Sequence, residues 1–140
     1  MSKPLKCVLC VLGAAWLLIL LRLTVFRNGC FSHGLFTGEI EWSAFAFYAQ
    51  LIRRRNWSCF IYLFGGNIAW FAPAGFFARL FGGRLPHALA AGFALSLAVE
   101  AGQFILGSGV SELDDLILNT LGAVLGYAFG CIVLRRAVPR

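Results

Sequence analysis

Charge is what this chain has least of. Only 13% of its 140 residues are Asp, Glu, Lys or Arg, whereas 60% are hydrophobic and the mean hydropathy is +0.81. A soluble domain carries about 25% charged and about 45–50% apolar residues, so this composition excludes an ordinary soluble fold and places the chain in a bilayer. Histidine is scarcer still. His33 and His87 fall in predicted loops on opposite sides of the bundle, too far apart to share a site. No Ser/His/Asp arrangement and no metal-ligand spacing is present, so neither a metal nor a cofactor is expected. No basic run is long enough to suggest nucleic acid. The net charge of +6 is read instead as membrane orientation and attraction to anionic headgroups. The length leaves no room for a separate soluble module, and residues 1–140 are expected to form a single membrane domain.

Five cysteines are present. Cys7-x-x-Cys10 lies in an apolar stretch with no second Cys or His pair to complete a site, so these two read as small apolar residues. Cys30 and Cys59 both fall near one predicted face, and a disulfide between them is an expectation for an oxidising compartment.

Long apolar runs are abundant. Four stretches reach the ~20 residues that a helix needs to cross a bilayer. They run from about Leu5 to Phe26, Trp57 to Phe81, Pro86 to Leu106 and Leu113 to Leu134. Gly82-Gly83 and Gly107-x-Gly109 punctuate the turns, and Pro86 suits a first helical turn. The first stretch follows Lys3 and Lys6 like a signal peptide. It is too long for a usual apolar core and lacks a small-residue cleavage site, so an uncleaved anchor is expected. Between the first two spans, Glu41 to Ile52 is apolar and aromatic but too short to cross, and reads as an interfacial or re-entrant segment. The fold expected is therefore all-α, a polytopic bundle of four transmembrane helices with that segment between helices 1 and 2.

With both termini cytoplasmic, Lys3, Lys6, Arg79, Arg84, Arg135, Arg136 and Arg140 fall inside, and Arg22, Arg27, Arg53, Arg54 and Arg55 outside. This orientation satisfies the positive-inside rule by a small margin.

Three polar signatures interrupt the apolar runs. They are Asn67-x5-Pro73-x-Gly75, Glu100-x-x-Gln103 and Asp115-x3-Asn119-x2-Gly122-x3-Gly126. A charged group inside a membrane-length run costs roughly 2.5–3.5 kcal/mol on insertion scales, so such residues need partners or a function. At 100° per residue, Asp115, Asn119, Gly122, Gly126 and Gly130 fall within an arc of roughly 80°. Gly92, Ser96, Glu100 and Gln103 form a similar stripe on the third span. Asn67, Glu100 and Asn119 lie at comparable depths, ~9–15 Å below one end of their helices, and can converge. The glycines form a small-xxx-small face for close helix packing. Pro73 is expected to kink the second span and release a backbone carbonyl. Arg53-Arg54-Arg55, at the mouth of that span, reads as a headgroup anchor or as a clamp for a phosphate-bearing ligand.

The text GGNIAWFAPAGF (65–76), LSLAVEAGQ (95–103) and LDDLILNTLGAVLGY (113–127) resembles the VanZ-like family of small bacterial membrane proteins. The resemblance covers about residues 56–127, and residues 1–55 carry no matching motif. It implies a multi-pass protein of the bacterial cytoplasmic membrane, of four or five helices, acting at the cell envelope. The family's recurring positions map to Asn67, Pro73, Gly75, Glu100, Gln103, Asp115, Asn119, Gly122 and Gly126. Many members carry an Arg in the turn before the acidic pair, where this chain has Gly107 to Glu112 without one. The family is named for an association with teicoplanin resistance, which does not extend automatically to every relative.

Three functions compete on the sequence. The first is binding of a membrane lipid or lipid-linked envelope molecule, such as a lipid-linked saccharide or lipoglycopeptide. Its pocket would lie in the outer half of the bilayer and use Asn67, Glu100, Gln103, Asp115 and Asn119, with Arg53–Arg55 above. The second is a membrane enzyme or small transporter that exchanges protons through Glu100 or Asp115. The third is a structural assembly partner packing through Pro73, Gly75, Gly122, Gly126 and Gly130.

Overall fold

The computed structural model describes residues 2–26 and 34–137. Five helices and two short strands follow one another: α1 (Lys3–Thr24), β1 (Glu39–Glu41), α2 (Ala46–Arg53), α3 (Trp57–Leu80), α4 (Leu85–Leu106), β2 (Val110–Glu112) and α5 (Leu113–Ala137). Helices α1, α3, α4 and α5 are long and apolar enough to cross a membrane. They match the four apolar stretches closely. The first begins slightly earlier than its apolar run because Pro4 fits the first helical turn.

Local chemistry sets the helix ends. Asn56 Oδ1 accepts the Cys59 amide at 3.3 Å and caps the start of α3. The Arg84 amide donates to His87 Nδ1 at 3.2 Å, so His87 serves the N-terminus of α4 beside Pro86. Gly107 ends α4 with a φ of 55°, a left-handed conformation that glycine adopts without a Cβ clash. Asp114 and Asp115 occupy the first turn of α5, where carboxylates complement the helix dipole. Pro73 is accommodated within the helical run Gly66–Leu80. The irregularity in α3 lies upstream of it, as a π turn at Ile61–Gly65.

The tightest packing joins α3 to α5. Gly122 and Gly126 abut the backbone carbonyls of Ile68 and Ala72, and Gly75 abuts the carbonyl of Ala123. A Cβ at any of these three would overlap main chain, which cannot move aside as a side chain can. The small-xxx-small face thus has a named partner, and Pro73 lies beside it. Gly130 faces the Arg79 side chain instead, and Gly92 of α4 faces the Ala123 methyl. Helix α1 attaches more lightly. Leu20 and Val25 pack with Phe71 and Val99, and Trp16 Nε1 donates to the Trp70 carbonyl at 3.0 Å. Its remaining flank, including Leu12, Leu18 and Ile19, is exposed, as a lipid-facing surface should be.

The segment before α3 is built into the end of the bundle. Strand β1 pairs in parallel with β2, Ile40 opposite Ser111 and Glu41 opposite Glu112. Amides of Phe36 and Gly38 donate to the Ile105 and Phe104 carbonyls at 2.8 and 3.1 Å, which ties this strap to the last turn of α4. Helix α2 buries Tyr48 and Leu51 against Leu118 of α5 and Phe60 and Phe64 of α3. The stretch read as interfacial or re-entrant is therefore a strand and a short helix docked on the bundle. Sequence reading did not anticipate the strand pair. Cys59 is a free thiol; the expected pairing with Cys30 falls outside the described residues, as does His33.

The glycine contacts predict a graded response. Gly126→Ala should destabilise by about 1–3 kcal/mol, the usual penalty of overpacking, and Gly126→Leu should prevent recovery of folded protein. Gly65 meets nothing within 4 Å, so Gly65→Ala should be neutral or stabilise by about 0.5–1 kcal/mol. Thermal melting of the detergent-solubilised variants, followed by size exclusion, gives the order. Equal melting of Gly126→Ala and Gly65→Ala would refute the packing.

Candidate functional site

The polar residues singled out from the sequence gather at the end of the bundle where β1, β2 and α2 lie, in two groups. The first lies between α3, α5 and α2. Asn67, two residues past the π turn, donates through Nδ2 to Asp115 Oδ1 and also approaches the Tyr48 hydroxyl at 3.4 Å. A π turn shifts the helical register by one residue and is frequent near functional positions. Here it helps set the face on which Asn67 emerges. The Tyr48 phenol is pushed up from its ordinary range, first by burial and then by the facing carboxylates Asp115, Asp114 and Glu112. It is held neutral and can act as a hydrogen-bond donor or acceptor. Tyr48 was not among the site residues expected from the sequence. The signal in the sequence is the i, i+3 spacing of Tyr48 and Leu51, which puts both on the one face that this short helix buries.

The second group lies between α4 and the α4–α5 connection. Glu100 is buried, with 7% of its surface exposed, and its Oε2 accepts the backbone amide of Glu112 at 2.9 Å. The Ser111 hydroxyl donates to the Glu100 carbonyl at 2.7 Å. Depth counting places Glu100 well below the end of α4. The connection reaches it because, after Gly107, the chain folds back along the last turns of that helix. Asn119 is also buried, and its Nδ2 donates to Ser96 Oγ at 3.0 Å, one turn along α4 from Glu100. Gln103 is buried against Gly109. The Oε1 of Gln103 and Oδ1 of Asn119 have no hydrogen-bond partner among the described residues.

A cavity of about 240 Å³ lies beside Glu100. Its walls include Ile40, Glu41 and Trp42 from the strap, Leu97, Glu100 and Phe104 from α4, and Glu112 with Leu116 from the far side. Leu97 and Ala101 are exposed on the flank of α4, so the cavity opens sideways, toward lipid. Of the ligand-binding residues expected from sequence, only Glu100 lines it. Asn67, Asp115, Asn119 and Gln103 form the framework around it. Arg53, Arg54 and Arg55 are exposed at the end of α2 and do not line it. Trp42 and Phe104 do, and neither was singled out. They come together only because β1 pairs with a strand 70 residues further along the chain.

Glu112, Asp114 and Asp115 bring ligand oxygens within 4.8 Å of one another. Asp115 is engaged by Asn67, and both aspartates sit in the first turn of α5, so the cluster has a structural account.

The first group makes a quantitative prediction. Asn67→Leu removes a hydrogen-bond donor from the half-buried Asp115 carboxyl and should destabilise by about 1–3 kcal/mol. Tyr48→Phe removes a longer hydrogen bond and should lose about 0.5–1.5 kcal/mol. Chemical or thermal melting in a neutral detergent checks both, and an inverted order would contradict the assigned geometry.

No curated protein and no solved structure matches the chain well enough to extend the comparison. One family model does match, over residues 8–134, taking in α1, the strap and α2 as well as the three motifs. With four membrane-length helices, the order of the motifs and a match over nearly its whole length, the chain belongs to the VanZ/LLP1 family of membrane proteins.

Proposed function

We propose that this membrane protein binds an amphiphilic molecule of the bacterial envelope, such as a lipid-linked saccharide or lipoglycopeptide, in the cavity beside Glu100. The observation that carries this reading is Glu100. It is buried in a membrane-length helix, lines the cavity, and accepts the Glu112 amide through Oε2. A carboxyl group kept solely to fasten α4 to β2 would be better walled off than set in a laterally open cavity. The lateral opening suits a ligand arriving from the bilayer, with its polar end at Glu100 and its chain along Leu97. The phosphate clamp read from Arg53–Arg55 has no support, since these residues lie away from the cavity.

We place the protein in the cytoplasmic membrane with both termini in the cytoplasm. Lys3, Lys6, Arg79, Arg84 and Arg135 gather at one end of the bundle. Glu39, Glu41, Glu112 and Asp114 gather at the other, together with Arg22 and Arg53–Arg55, so the basic excess at the first end is small. The cavity then belongs to the outer half of the bilayer. Truncation fusions at Gly109 and after Arg140 should report opposite sides, with the Arg140 reporter cytoplasmic. A cytoplasmic signal at Gly109 would reverse the orientation.

The binding reading is tested by mass spectrometry of the lipid extract that co-purifies with the protein in a mild neutral detergent. Wild type should retain an amphiphile above the bulk membrane composition. Glu100→Gln should reduce that enrichment about tenfold through loss of a desolvated charge or proton donor. Asn119→Ala should retain the ligand and lose only about 1 kcal/mol of stability, because Asn119 bonds Ser96 and does not line the cavity. Undiminished enrichment in Glu100→Gln would return Glu100 to a purely structural role. Loss of ligand in both variants would favour a relay through the whole polar stripe, as proton exchange requires.

A further inference from the structure

The chemistry of the cavity narrows what it can hold. Three acidic residues, Glu41, Glu100 and Glu112, line its walls, and among the described residues no Lys, Arg or His does. Glu100 is more than nine-tenths buried. Its Oε2 takes the Glu112 amide at 2.9 Å. Glu41 lies across the mouth in β1, in register with Glu112. Its carboxylate accepts the Ser43 amide at 2.7 Å, and this bond holds it below the usual carboxylate range. It is therefore ionised at neutral pH. Trp42, the next residue, is 71% exposed and lines the same cavity, with Phe104 from α4.

Each feature selects in the same direction. An anionic head would meet the ionised Glu41 with no compensating cation among the described residues, a penalty of like charges that specificity commonly exploits. An ammonium group can receive Glu100 Oε1 as acceptor and Glu41 as counter-charge. It can also stack on an aromatic face, as cations do with tryptophan. Ile40, Leu97, Ala101, Leu113 and Leu116 supply the apolar walls. A space of about 240 Å³ is at the lower limit for ligand pockets, so it takes a head and the first part of a chain. The rest of the chain continues past exposed Leu97 into lipid.

We propose that the cavity is selective for a membrane amphiphile with a positively charged amine or quaternary ammonium head. The ammonium sits between Glu100, Glu41 and Trp42, and the chain leaves laterally between α4 and the strap. This rests on the reading of the cavity as an amphiphile site and specifies the head that the site accepts.

The test uses the full chain in a polyoxyethylene detergent and three probes with the same tail: dodecyltrimethylammonium, dodecyl phosphate and dodecyl maltoside. Binding is followed by native mass spectrometry and by tryptophan fluorescence. The ammonium probe should bind at one site, at least tenfold more tightly than the phosphate or the maltoside. Trp42→Ala should weaken it about fivefold, as the loss of a cation–π contact implies. Glu41→Gln should weaken it by a similar factor and leave maltoside binding unchanged. Trp42 and Glu41 are on the exposed strap, so these variants fold even if Glu100→Gln does not. Phosphate binding equal to or tighter than ammonium would overturn the cationic selectivity and leave the amphiphile reading standing. Equal binding of all three heads, insensitive to Glu41→Gln, would do the same. Absence of saturable binding by any probe would overturn both.

Discussion

The hydrogen bond from the Glu112 amide to the Glu100 carboxyl is the contact on which this end of the molecule depends. A backbone donor within a membrane bundle needs a partner, and an intramembrane carboxyl needs a donor or a counter-charge; each supplies the other's need. The Ser111 hydroxyl reinforces the link by bonding the Glu100 carbonyl. Together they fix β2 against α4. Because β1 pairs with β2, they also fix the strap and bring Glu41 and Trp42 over the cavity. The site is thus assembled from the α4–α5 connection outward rather than from the helices alone.

Beneath this tier, the α3–α5 contact sets the spacing of the bundle. Backbone meets backbone at Gly75, Gly122 and Gly126, so these helices approach as closely as helices can. That approach is what brings Asn67 to Asp115. Glycine packing and the polar stripe are therefore two parts of one arrangement. The glycines position the polar residues, and the polar residues fix register at the end where the glycines stop. Interhelical hydrogen bonds contribute only about 0.6 kcal/mol each on average in membranes, so the packing holds the pair and the polar contacts align it.

Much of this is legible in the sequence because the bilayer imposes simple rules. Span lengths follow from hydrocarbon thickness, and the four helices lie where the apolar runs put them. The 100° geometry put Asp115, Asn119, Gly122 and Gly126 within one arc, from which Asp115, Gly122 and Gly126 meet α3 and Asn119 meets Ser96 of α4. The strap escaped because a three-residue strand such as Glu39–Glu41 carries no periodic signal, and its partner is far along the chain. Tyr48, Trp42 and Phe104 followed it into obscurity, since each reaches the site only through tertiary pairing. Arg53–Arg55 are exposed and do not line the cavity. A charge cluster near the mouth of a span says nothing about which way its helix turns the side chains. The family match removed a further limit, as residues before Asn56 lack a recognisable short motif yet belong to the matched region.

The central claim is that the Glu100 cavity is a ligand site opened to the bilayer. A high-resolution structure of the protein in nanodiscs made from its native membrane tests it most directly. The account predicts elongated density with its polar end between Glu100 Oε1 and Trp42, and its tail running out along Leu97. A closed and dry cavity, with Trp42 packed on Leu97 and Phe104 and both oxygens of Glu100 bonded to protein, would contradict it.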